Sequence, residues 1–241
     1  MPTTEVDDSR QSLPWSRIKT VLLDMDGTLL DLNFDNVFFL ETVPQAVARK
    51  CGLSFESALE QVLATYKKVE GTLAWYDLDH WSRELGMDIP LLKEEVAHLI
   101  QVHPHVLLFL KTVQQKQIPI HLVTNAHARA IDLKMARTPI GRYLTSLTSS
   151  HELGFSKEQP EFWPALKQRI PFDETTTLLV DDSEPVLLAA QEYGIAYIRH
   201  ISAPSSQHPK APSQRFISVD DFRVLLPEIE INPGFSIKPS H

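Results

Sequence analysis

The chain has 241 residues, 22% of them charged, and a formal net charge of −8. We expect no nucleic-acid polymer as a partner, because phosphate backbones attract basic surfaces. One cysteine excludes an intrachain disulfide and a cysteine-based zinc site. The sequence shows no signal-peptide pattern and no apolar run that would cross a bilayer, so we expect a soluble cytoplasmic protein that does not bind membranes.

The first predicted element is a buried strand. Residues 1–17 are polar and acidic and indicate a flexible leader. The segment TVLLDMDG that follows is a short apolar run rich in branched residues, which Gly27 ends. Such a run is typical of a strand in a parallel sheet. It finishes in Asp24 and Asp26, and two carboxylates at the end of one buried strand require a chemical explanation.

Residues 36–102 change to a helical pattern. Apolar residues recur three and four apart in four segments, VFFLETVPQAVARKCG, SFESALEQVLATYKKVEG, LAWYDLDHWSRELG and PLLKEEVAHLIQV. A block of helices between two strand-bearing regions predicts an inserted all-helical domain. Its aromatic residues Trp75, Tyr76 and Trp81 suit either stacking on a nucleobase or packing in the core of that domain.

Strands and helices alternate after the helical block. IPIHLVTNA, YLTSLTSS, TTTLLVDDSE and AYIRHI predict strands, and the segments between them predict helices. This alternation predicts an α/β fold, a Rossmann-like parallel sheet with helices on both faces. We predict the sheet domain over residues 18–35 and 103–231, the helical domain over 36–102, and a flexible tail over 232–241. The Pro- and Ser-rich loop 202–214 has no role that the sequence reveals.

Polar residues follow the ends of several predicted strands. Because ligands bind beyond the carboxyl ends of parallel strands, we expect these residues to share one rim. Crowded carboxylates repel one another, and a hard cation such as Mg²⁺, which also binds phosphate oxygens, relieves the repulsion. The pattern therefore predicts a metal and phosphoryl-transfer site. Its candidate residues are Asp24, Asp26, Thr124, Asn125, Lys157, Asp181 and Asp182.

Four motifs in this order, DMDGT, LVTN, a lysine and LLVDDSE, resemble those of the haloacid dehalogenase (HAD) superfamily. The helical block after the first motif is similar to one type of cap domain in that superfamily. Longer stretches, among them GTLAWYDLDHWSRELGMDI and SSHELGFSKEQPEFWPAL, resemble its bacterial purine 5'-nucleotidases, which act on GMP and IMP. The chain departs from the usual third motif at Glu158, where many relatives place a proline directly after the lysine.

The resemblance implies a magnesium-dependent phosphatase that hydrolyses a small phosphomonoester, with a purine nucleoside 5'-monophosphate as the expected substrate. It implies Asp24 as the nucleophile that becomes an aspartyl-phosphate and Asp26 as the general acid and base. The implied magnesium ligands are Asp24, Asp181 and the backbone carbonyl of Asp26, supported by Asp182. The implied phosphate-binding residues are Thr124, Lys157 and Asn125, although the amide of Asn125 either binds phosphate or structures the turn.

Two other functions stay open at this point. A phosphatase for a sugar phosphate or for phosphoglycolate would share the sheet domain, because only the helical domain separates these substrates. A non-catalytic binding module on the same fold is the second alternative. The presence of Asp24, Asp26 and Asp181 disfavours it, since a module without chemistry has no need of all three.

Overall fold

A parallel β-sheet forms the centre of the molecule. The computed structural model describes residues 12–227, and there six strands lie in the order β3-β2-β1-β4-β5-β6, with each neighbouring pair parallel. The predicted α/β fold is confirmed. Residues 1–11 of the predicted leader and the predicted tail lie outside the described residues. The strands are β1 Thr20–Leu23, β2 Ile120–Thr124, β3 Ser146–Ser149, β4 Thr177–Asp181, β5 Tyr197–Ile201 and β6 Ser218–Val219.

Both faces of the sheet are buried, which explains the continuous apolar runs of its strands. In β1, Val21 and Leu23 belong to one hydrophobic core and Leu22 belongs to the other. This alternation follows from the two-residue period of a strand, and a sheet covered on both sides needs apolar residues at every position. Because β1 lies between β2 and β4, the C-terminal ends of these three strands are neighbours.

Residues 33–99, between β1 and β2, contain helices and loops and no strand, and we call them the helical insert. The insert has its own hydrophobic core, which includes Phe38, Tyr66 and Trp81. Its first helix begins at Asn33, and the predicted limits of the two domains stay predictions. The α-helices are α1 Asn33–Val37, α2 Val43–Cys51, α3 Phe55–Tyr66, α4 Leu78–Leu85 and α5 Ile89–Glu95, with a π-helical turn at Phe38–Thr42.

The remaining described α-helices cover the two faces of the sheet. Phe109 of α6 packs in one core, and Phe162 and Trp163 of α9 pack in the other. Among the described residues, no helix is long and apolar enough to span a bilayer. These helices are α6 Val106–Gln115, α7 Ala128–Arg137, α8 Ser150–Leu153, α9 Phe162–Arg169 and α10 Glu184–Tyr193.

Two short elements, α8 and β6, are absent from the sequence-based prediction. Helix α8 begins with a capping box, in which Ser149 accepts a backbone hydrogen bond and Glu152 accepts one from the Ser149 N–H. Its four residues are too few to show a helical period. Strand β6 has two residues and pairs with β5, so it has too few residues to show alternation.

Loop 202–214 contacts both segments that join the sheet to the helical insert. The carbonyl oxygen of Pro204 accepts a hydrogen bond from Leu32 N at 2.9 Å, and Nε2 of His103 lies 3.1 Å from the same oxygen. Ser206 N donates to Oδ1 of Asp31 at 3.1 Å. The loop therefore connects the two segments that join the sheet to the helical insert, a role that its amino-acid composition does not reveal.

We expect Phe109→Ala to destabilise the protein far more than Leu108→Ala on the same helix. Phe109 is fully buried and its ring centroid lies 6.2 Å from that of Trp15 and 5.2 Å from that of Phe222, whereas Leu108 is 48% exposed. In urea denaturation, the free energy of unfolding should fall by about 3–5 kcal/mol for Phe109→Ala. It should change by less than about 0.5 kcal/mol for Leu108→Ala. Equal losses in the two variants would contradict this packing.

Candidate active site

Three carboxylates meet at the C-terminal ends of two adjacent strands. Asp24 follows β1 and Asp181 ends β4, and the register pairs Leu23 with Val180, so these aspartates are adjacent. Asp182 comes next, and one carboxylate oxygen from each of the three aspartates lies within 4.8 Å of the others. Asp24 and Asp181 are only 6% and 1% exposed. Removing this much negative charge from water requires a counter-charge.

Lys157 supplies that counter-charge. Its Nζ donates to Oδ1 of Asp24 at 2.5 Å and to Oδ2 of Asp181 at 2.7 Å, and the residue is 3% exposed. Burial lowers the pKa of Lys157, but the two carboxylates raise it by more, and it lies above its usual value. The ammonium group is therefore charged and lies between the two buried acids.

Asn125 holds the loop of Lys157 against the end of β2. Its Oδ1 accepts a hydrogen bond from Lys157 N at 3.0 Å, and its Nδ2 donates to Oε2 of Glu158 at 3.0 Å. Since both ends of the amide are engaged, the structure favours the structural interpretation of Asn125. Its predicted phosphate-binding role stays a prediction.

Glu158 also contacts the helical insert. Its Oε1 accepts a hydrogen bond from the hydroxyl of Tyr76 at 2.8 Å. Burial raises the pKa of Tyr76, and Glu158 raises it further, so the phenol is a neutral donor. Sequence reasoning misses this role of Glu158. The signal that points to it is the departure from proline directly after Lys157.

Thr124 places a hydroxyl group beside the same strand ends. It is the last residue of β2, which neighbours β1 on the side opposite β4, and it is 2% exposed. Its Oγ1 accepts a hydrogen bond from Ala126 N at 3.1 Å. That contact uses a lone pair only, so the hydroxyl proton is still available for donation to a ligand.

The turn after β1 requires glycine at position 27. Gly27 has φ +82°, and a Cβ at this position would lie 2.4 Å from Oδ2 of Asp182. A side chain there would strain the backbone and would also displace Asp182 from the carboxylate cluster. The glycine of the first motif thus allows close approach between the first and the fourth motif.

The side chain of Asp26 lies outside the three-carboxylate cluster. Its Oδ1 is 2.6 Å from Nζ of Lys134, and the side chain is 21% exposed. The structure therefore brings together the carboxylates of Asp24, Asp181 and Asp182, whereas Asp26 turns toward a different cation. The expectation that Asp26 ligates a metal concerns its backbone carbonyl and stays a prediction.

Burial raises the pKa of three carboxyl groups near the strand ends, those of Asp24, Asp26 and Asp182. Burial raises the pKa of Asp24 to about 6 against the opposing effect of Lys157. It raises the pKa of Asp26 to about 6 against the opposing effect of Lys134. The pKa of Asp182 is also raised, chiefly by burial. A carboxyl group with a pKa near neutrality exists in both protonation states, as a general acid and base requires.

A cavity of about 580 Å³ lies between the helical insert and the sheet, beside Asp26. Asp26 and Lys134 form part of its polar lining, and five aromatic residues also line it. Of the three aromatic residues that the sequence leaves open, Trp81 is buried in the core of the insert, whereas Trp75 and Tyr76 are half-buried at the cavity. The aromatic lining comprises Phe39, Tyr66, Trp75, Tyr76 and Trp81.

The carboxylate cluster has the donor chemistry of a hard-cation site. Asp24, Asp181 and Asp182 offer oxygen ligands within 4.8 Å of one another. Divalent cations such as Mg²⁺ bind sites with carboxylate oxygens and without sulfur. These residues could therefore hold a metal ion.

Comparison with known proteins agrees with this fold. The profile of the haloacid dehalogenase-like hydrolases matches residues 18–194. GMP/IMP nucleotidase YrfG of Escherichia coli (strain K12) is 36% identical over 218 residues, which cover 90% of this chain and 98% of that protein. Phosphoglycolate phosphatase of Pseudomonas fluorescens is 24% identical over 225 residues, 90% of this chain and 82% of that protein. The crystal structure of a HAD phosphatase from Thermococcus onnurineus has a TM-score of 0.71 at 21% identity and covers 86% of this chain and 95% of that one.

An open parallel sheet with acidic residues and a lysine at the carboxyl ends of its strands defines an α/β protein whose candidate site lies where such sheets bind ligands. The chain belongs to the haloacid dehalogenase-like hydrolase family. The resemblance drawn from its four motifs is thereby confirmed. The protein is an enzyme, and its family and relatives support a phosphatase that acts on phosphomonoesters.

We expect Asp24 to destabilise the metal-free protein progressively as the pH rises from about 4 to about 6. The pKa of Asp24 is about 6 in the fold against an ordinary value of 3.8. Between these values the folded state holds a proton that the unfolded state has released, so the free energy of unfolding falls with rising pH. Asp24→Asn should remove up to about 3 kcal/mol of this loss.

Thermal unfolding with chelator, from pH 4 to pH 8, measures the effect. The variant should unfold at a higher temperature than the wild type above pH 6, and the two should converge near pH 4. Asp132→Asn, at an exposed position, is the matched control for the change in net charge. Parallel curves for the wild type and Asp24→Asn would show that burial does not penalise the charge of Asp24.

Proposed function

We propose that the protein is a magnesium-dependent phosphatase that acts through an aspartyl-phosphate intermediate, with a purine nucleoside 5'-monophosphate such as GMP or IMP as its substrate. The observation that carries this proposal is the contact of Lys157 with both Asp24 and Asp181, at 2.5 and 2.7 Å, at the end of the sheet. Catalysis of phosphoryl transfer depends mainly on positioning and on charge neutralisation. The site provides both, because a fixed cation contacts the nucleophile and a second carboxylate.

In the first step, Asp24 attacks the phosphorus atom. One carboxylate oxygen of Asp24 forms a new P–O bond in line with the leaving oxygen, and the P–O bond to that oxygen breaks. Asp26 gives its proton to the leaving oxygen, so the product departs as an alcohol. Lys157 offsets the charge of the phosphoryl group, and Thr124 donates its hydroxyl proton to a phosphoryl oxygen.

In the second step, water attacks the phosphorus atom of the aspartyl-phosphate. Asp26, now a carboxylate, takes a proton from the water as the new P–O bond forms. The P–O bond to Asp24 breaks, inorganic phosphate leaves, and the carboxylate of Asp24 is restored. Asp26 then carries the proton for the next cycle, and its pKa of about 6 suits both tasks.

We assign the metal to the carboxylate cluster. Asp24, Asp181 and the backbone carbonyl of Asp26 would hold Mg²⁺, with Asp182 in support. When bound, the ion supplies positive charge against the phosphoryl oxygens. The same charge relieves the repulsion among the carboxylates that burial has taken out of water.

The cavity beside Asp26 supports a nucleotide as the ester. Its volume of about 580 Å³ lies within the range of sites for small molecules. The half-buried rings of Trp75 and Tyr76 offer flat apolar surfaces to a base. The relative from Escherichia coli, named a GMP/IMP nucleotidase, supports the purine preference.

The rival substrate class is a sugar phosphate or phosphoglycolate. The 24% identity to the phosphoglycolate phosphatase supports it, and such an enzyme would use the same residues of the sheet. A non-catalytic binding module is disfavoured, because Asp24, Lys157 and Asp181 are all present and in contact. We also propose that residues 36–102 act as a cap over the sheet domain of residues 18–35 and 103–231, and that the enzyme serves cytoplasmic nucleotide metabolism.

Asp24→Asn is expected to abolish hydrolysis while the protein stays folded. A carboxamide is a poor nucleophile and a poor magnesium ligand, so kcat should fall by at least about 10³-fold. Phosphate release by the purified variant measures this, and circular dichroism confirms that it is folded. Asp132→Asn, on the surface of α7, serves as the control. If Asp24→Asn retained more than about a tenth of wild-type turnover, Asp24 would not be the nucleophile.

A panel of phosphate esters tests the substrate. We expect kcat/KM for GMP or IMP to exceed that for pyrimidine monophosphates, phosphoglycolate and glucose 6-phosphate by at least about 10-fold. Chelator should remove the activity, and added Mg²⁺ should restore it. Activity confined to esters without a base would favour the rival class. Turnover of none of the esters, with Mg²⁺ present at several pH values, would favour the binding module.

A further inference from the structure

A second buried lysine lies next to the proposed site. Lys134 of α7 is 1% exposed, and its Nζ lies 2.6 Å from Oδ1 of Asp26 and 2.7 Å from Oδ2 of Asp35. An unpaired lysine is costly in a protein interior, so the two carboxylates account for its burial. The same face of α7 presents the buried residues Ala130 and Ile131. An apolar residue at position 134 would therefore satisfy the packing, and packing alone does not explain the lysine.

Lys134 forms an ion pair with Asp26. Oδ1 of Asp26 is buried and has no hydrogen bond of regular geometry among the described residues, and Nζ of Lys134 lies 2.6 Å from it. Lys157, in contrast, contacts Asp24 and Asp181. The two aspartates of the first motif thus form ion pairs with two different lysines. The cavity lies on the side of Asp26 and Lys134, where the leaving group of an ester would lie.

The helical insert holds Lys134 in place. Asp35 belongs to α1 of the insert, and its other oxygen, Oδ1, lies 2.6 Å from Nζ of Lys93 on α5. Lys93 is 2% exposed, and its ammonium group lies 5.0, 4.6 and 4.7 Å from the ring centroids of Phe34, Phe38 and Phe39. A chain of buried charges therefore runs from Asp26 through Lys134 and Asp35 to Lys93.

We propose that Lys134 is a positioning residue, which holds the carboxyl group of Asp26 toward the leaving oxygen of the ester and is itself fixed by Asp35 and Lys93 of the helical insert. This inference rests on the proposed function, in which Asp26 is the general acid. Lys134 acts through Asp26 and need not touch the substrate. The helical insert thus has two roles. It forms part of the wall of the cavity, and it supports acid catalysis through the charge chain.

The test compares two aryl phosphates of similar shape that differ in their need for an acid. Phenol is a weaker acid than p-nitrophenol, so phenyl phosphate depends on protonation of its leaving oxygen more than p-nitrophenyl phosphate does. The readout is kcat/KM, because it reports the steps up to departure of the leaving group and omits hydrolysis of the aspartyl-phosphate. The ratio of the two values is independent of the folded fraction of a variant.

In Lys134→Met, we expect kcat/KM for phenyl phosphate to fall by roughly 10- to 100-fold and that for p-nitrophenyl phosphate by less than about 3-fold. Lys134→Arg, which keeps the charge, should recover most of the loss. Lys93→Met, at the far end of the charge chain, should shift the ratio in the same direction by a smaller factor. Lys111→Met, at an exposed position of α6, is the control for the loss of one positive charge, and its ratio should stay within about 3-fold of the wild type. If Lys134→Met does not fold, Asp35→Asn should shift the ratio in the same direction by a smaller factor.

An unchanged ratio in Lys134→Met and Asp35→Asn would overturn the inference. An equal loss for both esters, with a higher KM, would also overturn it, because Lys134 would then bind the substrate directly. A ratio shifted as much by Lys111→Met as by Lys134→Met would show a general effect of lost positive charge and would count against positioning. Failure of the wild type to release phosphate from GMP, IMP and both aryl esters, with Mg²⁺ present, would instead reject the proposed function.

Discussion

The ammonium group of Lys157, held between two buried carboxylates, is the contact on which the rest of the site depends. Asp24 and Asp181 come from the ends of adjacent parallel strands, so the register of the sheet alone would force like charges together in a buried region. A lysine in contact with both removes that conflict. Asn125 and Glu158 then hold the loop that carries the lysine.

The two aspartates of the first motif have the same kind of side chain but different surroundings. Asp24 directly follows the strand and faces Lys157, whereas Asp26 lies two residues further on and faces Lys134 and the cavity. Burial raises the pKa of both to about 6. Their different positions therefore come from the direction of the chain and from the lysine that each one meets, rather than from a difference in acidity.

Local patterns were sufficient to predict five of the six described strands and most helices. Apolar runs that end in aspartate indicate β1 and β4, because a fully buried strand needs apolar residues on both faces, and polar strand ends indicate the shared rim. The charge chain through Lys134, Asp35 and Lys93 could not be predicted in this way. Each of these residues is a single charge within a helical segment, and only the tertiary structure brings α7 against the helical insert.

The hydrogen bonds of Glu158 affect whether the helical insert can be exchanged for that of a relative. The carboxylate of Glu158 accepts one hydrogen bond from the hydroxyl of Tyr76 in the helical insert and another from the amide of Asn125 at the end of β2. Grafting the helices of a relative onto this sheet would remove Tyr76 and leave a half-buried acid without one of its donors. A chimera built to change selectivity would therefore also need a new residue at position 158, such as the proline that many relatives carry there.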